Sequence, residues 1–129
     1  MNESQPGPWN IFLIDDRPEN IGFVQDALEH DGHQVESFLE GPGALQKIAE
    51  NPPDFVLLDL EMPGMSGLEV LREIRKEDRF STVLVIILSA HPKEEVEEES
   101  VAAGANEVMS KPLRLRLLRE TLISLKGMK

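Results

Sequence analysis

The chain has 129 residues, 40% of them hydrophobic and 29% charged, which suits one domain with a real core and excludes disorder of the whole chain. Its 13 basic and 24 acidic residues leave a formal charge of −11, a field that repels phosphate backbones and anionic lipid, so direct nucleic-acid binding is not expected. The absence of cysteine removes disulfide scaffolds, thiolate metal sites and cysteine nucleophiles.

Residues 1–8 are expected to form a flexible N-terminal segment, 9–126 the folded domain and 127–129 a tail. Met1 to Pro8 lacks the basic start and apolar stretch of an export signal, so a cytoplasmic location is expected. Trp9 to Ile14 reads as the first strand. Ile21, Val24 and Leu28 then recur at helical spacing, with Pro18 near the start and Gly32 placed to end the helix. Gln34 to Phe38 is the second strand. Ala44 to Glu50 is a short helix closed by Asn51-Pro52-Pro53, because a residue before proline is pushed out of helical geometry. Phe55 to Leu58 is the third strand. Ser66 and Glu69 form a capping box that opens a third helix with Leu68, Leu71 and Ile74 on its buried stripe. Val83 to Leu88 is the fourth strand and the longest apolar run, too short to span a bilayer. Lys93 to Ala103 makes a fourth helix stopped by Gly104, Glu107 to Met109 a fifth strand, and Leu113 to Leu125 a fifth helix.

Strands apolar on both faces, alternating with amphipathic helices, predict an α/β fold: a parallel sheet with helices on both sides, a doubly wound three-layer sandwich. In such sheets ligands collect beyond the carboxyl ends of the strands, where the strand order reverses. The polar anomalies fall on that rim. The first strand runs into Asp15-Asp16, the third into Asp59, the fourth into Ser89, and Lys111-Pro112 follows the fifth.

Three carboxylates held close together repel one another unless a cation keeps them ionised. An all-oxygen donor set without His or Cys favours a hard ion, and few carboxylates with several waters suit Mg²⁺. Such a site presents a positive face to a phosphoryl group. Asp59 is then the candidate nucleophile, Lys111 a compact charge for the transferred oxygens and Ser89 a hydroxyl donor. Each group also has a bland reading: Asp15-Asp16 as turn and cap chemistry before Arg17-Pro18, Asp59 as a turn opener, Ser89 as a helix cap. The joint placement at the ends of different strands is the argument for a site.

In NIFLIDDRPEN, FVLLDLEMPGMSGLEVLREIR, VLVIILSAH and AGANEVMSKP, in this order, the chain resembles the response-regulator receiver domains of two-component signalling from about Asn10 to Leu125. The resemblance implies a flavodoxin-like sheet of five parallel strands in the order 2-1-3-4-5 with five helices. It implies a signalling switch in which Asp59 accepts a phosphoryl group from the phosphohistidine of a sensor histidine kinase or a phosphotransfer protein. Mg²⁺ would sit among Asp15, Asp16, Asp59 and the backbone carbonyl of Glu61. Ser89 would turn toward the phosphoryl oxygens and Lys111 would pair with them. Self-dephosphorylation would need Mg²⁺, and no external substrate, hence no enzyme in the ordinary sense, is implied. Family members often have a cis bond at the equivalent of Lys111-Pro112.

The chain departs from the pattern at Val108, where the family commonly carries Tyr or Phe, and Tyr is absent altogether. Glu61 is expected to be a solvated loop carboxylate, although turned inward it would change the lifetime of the phosphate. His91 is expected to face solvent. The glutamates at 94, 95, 97, 98 and 99 read as a solvated face that also complements the helix dipole. On the fifth helix, Leu115, Leu118, Leu122 and Leu125 form one stripe. Leu113 and Leu117 lie partly off it, among Arg114, Arg116, Arg119 and Lys126. That surplus suggests a homodimer or a docking partner on the fourth and fifth helices.

Two other functions compete. A receiver-like docking module would work without phosphorylation, a reading that Val108 keeps alive. A Mg²⁺-dependent phosphohydrolase would also use an aspartyl intermediate, but in haloacid-dehalogenase-like enzymes a D-x-D on the first strand carries the nucleophile, whereas Asp59 follows the third. With so few residues after the fifth helix, the chain reads either as a stand-alone regulator or as the receiver segment of a longer protein.

Overall fold

The computed structural model describes residues 7–127. The expected segment 1–8 therefore lies largely, and the expected tail partly, outside the described residues. Five parallel strands, β1 (Asn10–Ile14), β2 (Gln34–Phe38), β3 (Phe55–Asp59), β4 (Leu84–Ser89) and β5 (Glu107–Ser110), pair in the order β2-β1-β3-β4-β5. Between and after them lie α1 (Pro18–His30), α2 (Gly41–Glu50), α3 (Gly67–Arg75), α4 (Lys93–Ala102) and α5 (Leu115–Gly127).

The two-residue period of each strand divides the core into two layers. Ile11, Leu13, Phe55, Leu57, Ile86 and Leu88 face one way and meet Ile21, Val24 and Leu28 of α1 with Leu118 and Leu122 of α5. Phe12, Ile14, Val56, Leu58, Val85 and Ile87 face the other and meet Ala44 and Ile48 of α2 with Val70, Leu71 and Ile74 of α3. Leu57, Leu58, Ile86 and Ile87 are fully buried, so trimming any of them to alanine would cost about 2–5 kcal/mol.

The elements differ from expectation mostly at their ends. α2 starts at Gly41 rather than Ala44, because Pro42 lies within the first turn, where its missing N–H costs nothing. α5 starts at Leu115, and Leu113 packs instead against the α1/α5 layer. A short 3₁₀ turn at Asp78–Phe80, not foreseen, buries Phe80. The capping box forms as expected: Glu69 N–H donates to Ser66 Oγ (3.3 Å) and Ser66 N–H to Glu69 Oε1 (2.8 Å). Gly104 follows α4 with a φ of +113°, where a side chain would be strained.

Arg75, the last residue of α3, ties down the turns before β4 and β5. Its guanidinium donates to Gly104 O (3.0 Å), Phe80 O (3.0 Å), Val83 O (2.8 Å) and Asn106 Oδ1 (2.9 Å). The same Asn106 oxygen accepts Val85 N–H at 2.8 Å. Burial lowers the pKa of Arg75 from its ordinary value.

Candidate functional site

Strand order reverses at β1, with β2 on one side and β3 on the other, and the polar residues collect at the carboxyl ends there. Asp15 follows β1 and is almost fully buried. Its Oδ1 accepts Arg17 N–H (2.9 Å), so the turn role anticipated for the acidic pair is real for Asp15. Asp59 closes β3 and is equally buried. One carboxylate oxygen each from Asp15, Asp16 and Asp59 lies within 4.8 Å of the others. Asp16 Oδ1 is buried with no hydrogen-bond partner, which is the position of a group awaiting a ligand. The donors are all hard oxygens, so the cluster can hold a divalent metal of the Mg²⁺ type.

Lys111, just past β5, reaches across β4 and β3. Its Nζ lies 3.0 Å from Asp59 Oδ1 and 3.4 Å from Asp15 Oδ2. The Lys111-Pro112 bond is cis, as the resemblance implied. Burial pushes the Asp59 carboxyl up to about 6, and repulsion from Asp15 adds to it. The Lys111 hydrogen bond and charge, with the Glu61 N–H, offset part of the rise. Burial pulls Lys111 down, but the Asp59 hydrogen bond and the charges of Asp59 and Asp15 outweigh it and leave its pKa raised. The result is one ammonium shared by two buried carboxylates.

Ser89 is fully buried at the end of β4, one residue past Leu88, the ladder partner of Asp59, but its hydroxyl is bonded elsewhere. Ser89 Oγ donates to Glu61 Oε2 at 2.7 Å and accepts His91 N–H at 3.0 Å. Glu61 Oε1 also accepts Ala90 N–H at 3.1 Å. Glu61 remains exposed, as expected of a loop carboxylate, but it is also engaged: it folds over the β4–α4 loop because free donors there meet an acceptor on the β3–α3 loop. His91 is exposed as expected, yet its Nε2 stands 3.7 Å from Glu61 Oε2.

Gly67, not singled out from sequence, matters locally. A Cβ there would stand 2.3 Å from Asp59 O and 2.7 Å from Leu60 Cα, so glycine lets α3 begin directly against the backbone of Asp59. The available signal was its place straight after the Ser66 cap.

The sequence profile of the response regulator receiver domain matches residues 11–123. The chain belongs to this family. The receiver domain is 38% identical over 102 residues to the transcriptional regulatory protein KdpE of Mycobacterium tuberculosis, a match covering 79% of this chain and 44% of KdpE. It is 28% identical over 120 residues to the polar-differentiation response regulator DivK of Brucella anthropi, covering 93% of this chain and 98% of DivK. The structure of chemotaxis protein CheY4 of Vibrio cholerae superposes with a TM-score of 0.86 at 25% identity, over 92% of this chain and 99% of that one. The receiver domain thus spans less than half of KdpE but nearly all of DivK. No helix among the described residues is long and apolar enough to cross a membrane.

Val108, which stands where the family commonly carries Tyr or Phe, has no aromatic ring. It is buried on β5, paired with Ile87, inside the α2/α3 layer. The basic face of α5 is partly committed within the domain, Arg119 to Asp31 (2.6 Å) and Lys126 to Asp54 (3.2 Å). Leu117 of α5 and Val101 of α4 remain about half exposed.

Proposed function

We propose that this receiver domain is a phosphorylation-dependent switch that takes a phosphoryl group on Asp59 from the phosphohistidine of a sensor histidine kinase or phosphotransfer protein. The observation that supports it is the Lys111 ammonium on Asp59, beside the unpartnered oxygen of Asp16 in a three-carboxylate cluster. An oxygen of Asp59 forms a bond to phosphorus as the P–N bond breaks, and the electron pair returns to the imidazole nitrogen. Asp15, Asp16, Asp59 and the Glu61 carbonyl would hold Mg²⁺, which supplies charge neutralisation for the incoming oxygens. Lys111 holds Asp59 in place and shares the charge of the group it accepts. Water attack on the acyl phosphate then returns inorganic phosphate and the free carboxylate.

Incubation with Mg²⁺ and acetyl phosphate, followed by intact mass measurement, tests this reading. The expected result is one added, labile phosphoryl group that Asp59→Asn abolishes. A protein that stays unmodified would favour the docking module, and sustained turnover of a small phosphoester the phosphohydrolase. Lys111→Ala is expected to leave any phosphate uncoupled from conformational response by NMR. Partner docking or self-association through α4 and α5 is supported by the exposed Leu117 and Val101, and sedimentation with and without a phosphoryl mimic tests it.

A further inference from the structure

Glu61 makes the contacts that an incoming phosphoryl group would need. Its two carboxylate oxygens sit on the Ser89 hydroxyl and the Ala90 backbone N–H, an acceptor pair at 2.7 and 3.1 Å. The donors, Ser89 and Ala90, are the two residues that follow Leu88, the ladder partner of Asp59, and Glu61 N–H itself reaches Asp59 Oδ1 at 3.4 Å. A phosphoryl group on Asp59 would carry more negative charge than a carboxylate and would seek the same donors. It would also repel the Glu61 carboxylate.

We propose that Glu61 is a built-in competitor of the phosphoryl group, a latch that holds Ser89 and the β4–α4 loop until phosphorylation displaces it. This rests on Asp59 being the acceptor. The latch gives the domain what the missing ring at Val108 does not, a side chain with two seats: one on Ser89 and Ala90 before phosphorylation, one away from them after it. Because the two anions exclude each other, the coupling is reciprocal, and removing Glu61 must strengthen phosphoryl binding by the factor that Glu61 weakens it. Glu61 is a positioning residue here: it acts through Ser89 and Ala90.

The test is equilibrium binding of beryllofluoride at saturating Mg²⁺, a phosphoryl mimic that is not hydrolysed, followed by the amide resonance of Ala90. Glu61→Ala, at a half-exposed side chain, is expected to bind roughly tenfold more tightly than the natural protein. In a Ser89→Ala background, where half of the latch is already gone, the gain from Glu61→Ala is expected to shrink to roughly threefold or less. Unchanged or weaker binding by Glu61→Ala would overturn the latch while leaving Asp59 as acceptor. A gain of equal size with and without Ser89 would also overturn it, since plain charge repulsion would then suffice. If the natural protein neither binds beryllofluoride nor is labelled by acetyl phosphate, the acceptor reading fails and the latch falls with it.

Discussion

Lys111 stands 3.0 Å from Asp59, with β4 and β5 in the intervening chain, and still does not bring the Asp59 carboxyl back to its ordinary range. Burial and the neighbouring Asp15 win over one ammonium. A carboxyl raised from 3.8 to about 6 on folding contributes stability at low pH that is lost as pH rises through that interval. In metal-free buffer above that range, Asp59→Asn is therefore expected to stabilise the fold, by on the order of 1–2 kcal/mol once water at the rim is allowed for. Urea unfolding compared at acid and neutral pH checks it. The gain should fade toward the acid end, and a destabilised variant at neutral pH would contradict it.

Magnesium should act in the opposite sense. A ligand that binds only the folded state adds stability with concentration, about 2.7 kcal/mol at a hundredfold excess over Kd. The natural domain is expected to show this rise in thermal midpoint, and Asp16→Asn to lose most of it, because Asp16 Oδ1 has no other partner. EDTA should reverse it. An equal Mg²⁺ shift in Asp16→Asn would rule Asp16 out as a ligand.

At the opposite end of the sheet, His33 accepts Trp9 N–H on Nδ1 (3.1 Å), and the two rings stack at 5.1 Å. Burial lowers the His33 pKa below 6.5, with Asp31 pulling the other way. A depressed histidine contributes stability above its unfolded value that is lost as pH falls through the folded one. Unfolding followed by emission of Trp9, the single tryptophan, should show the natural domain weakening below pH 6.5 relative to His33→Gln. Parallel pH profiles for the two proteins would remove His33 from the account.

Arg75→Ala is expected to cost about 2–4 kcal/mol, since it strips the donor from three backbone carbonyls and from Asn106. Arg75→Lys should recover only part, because an ammonium lacks the planar fork. Gly104→Ala should cost at least about 1–2 kcal/mol: it forces a side chain into left-handed backbone and puts a Cβ 2.6 Å from Arg75 Cγ. Denaturant midpoints measure all three, and a neutral Arg75→Ala would show that water replaces the guanidinium.

Much of this molecule was written in local order. Runs apolar on both faces marked strands covered by helices on both sides, the Ser66–Glu69 box marked the start of α3, and the acidic pair, Asp59, Ser89 and Lys111 were placed at strand ends by where apolar runs stop. Such features depend on neighbours a few residues away, and periodicity reports them. The helix start at Gly41 was harder, because glycine and proline at a first turn look like loop, and α5 was read two residues too early because Leu113 keeps helical spacing with Leu117.

Packing alone decided which strand ends face each other and what each polar group then does. The Glu61 carboxylate lies 28 positions from Ser89, Arg75 reaches 31 positions to Asn106, and Lys111 reaches 52 back to Asp59. No periodicity encodes those pairings. They form because the sheet order sets separate loops side by side, where a buried donor must find whatever acceptor the fold presents.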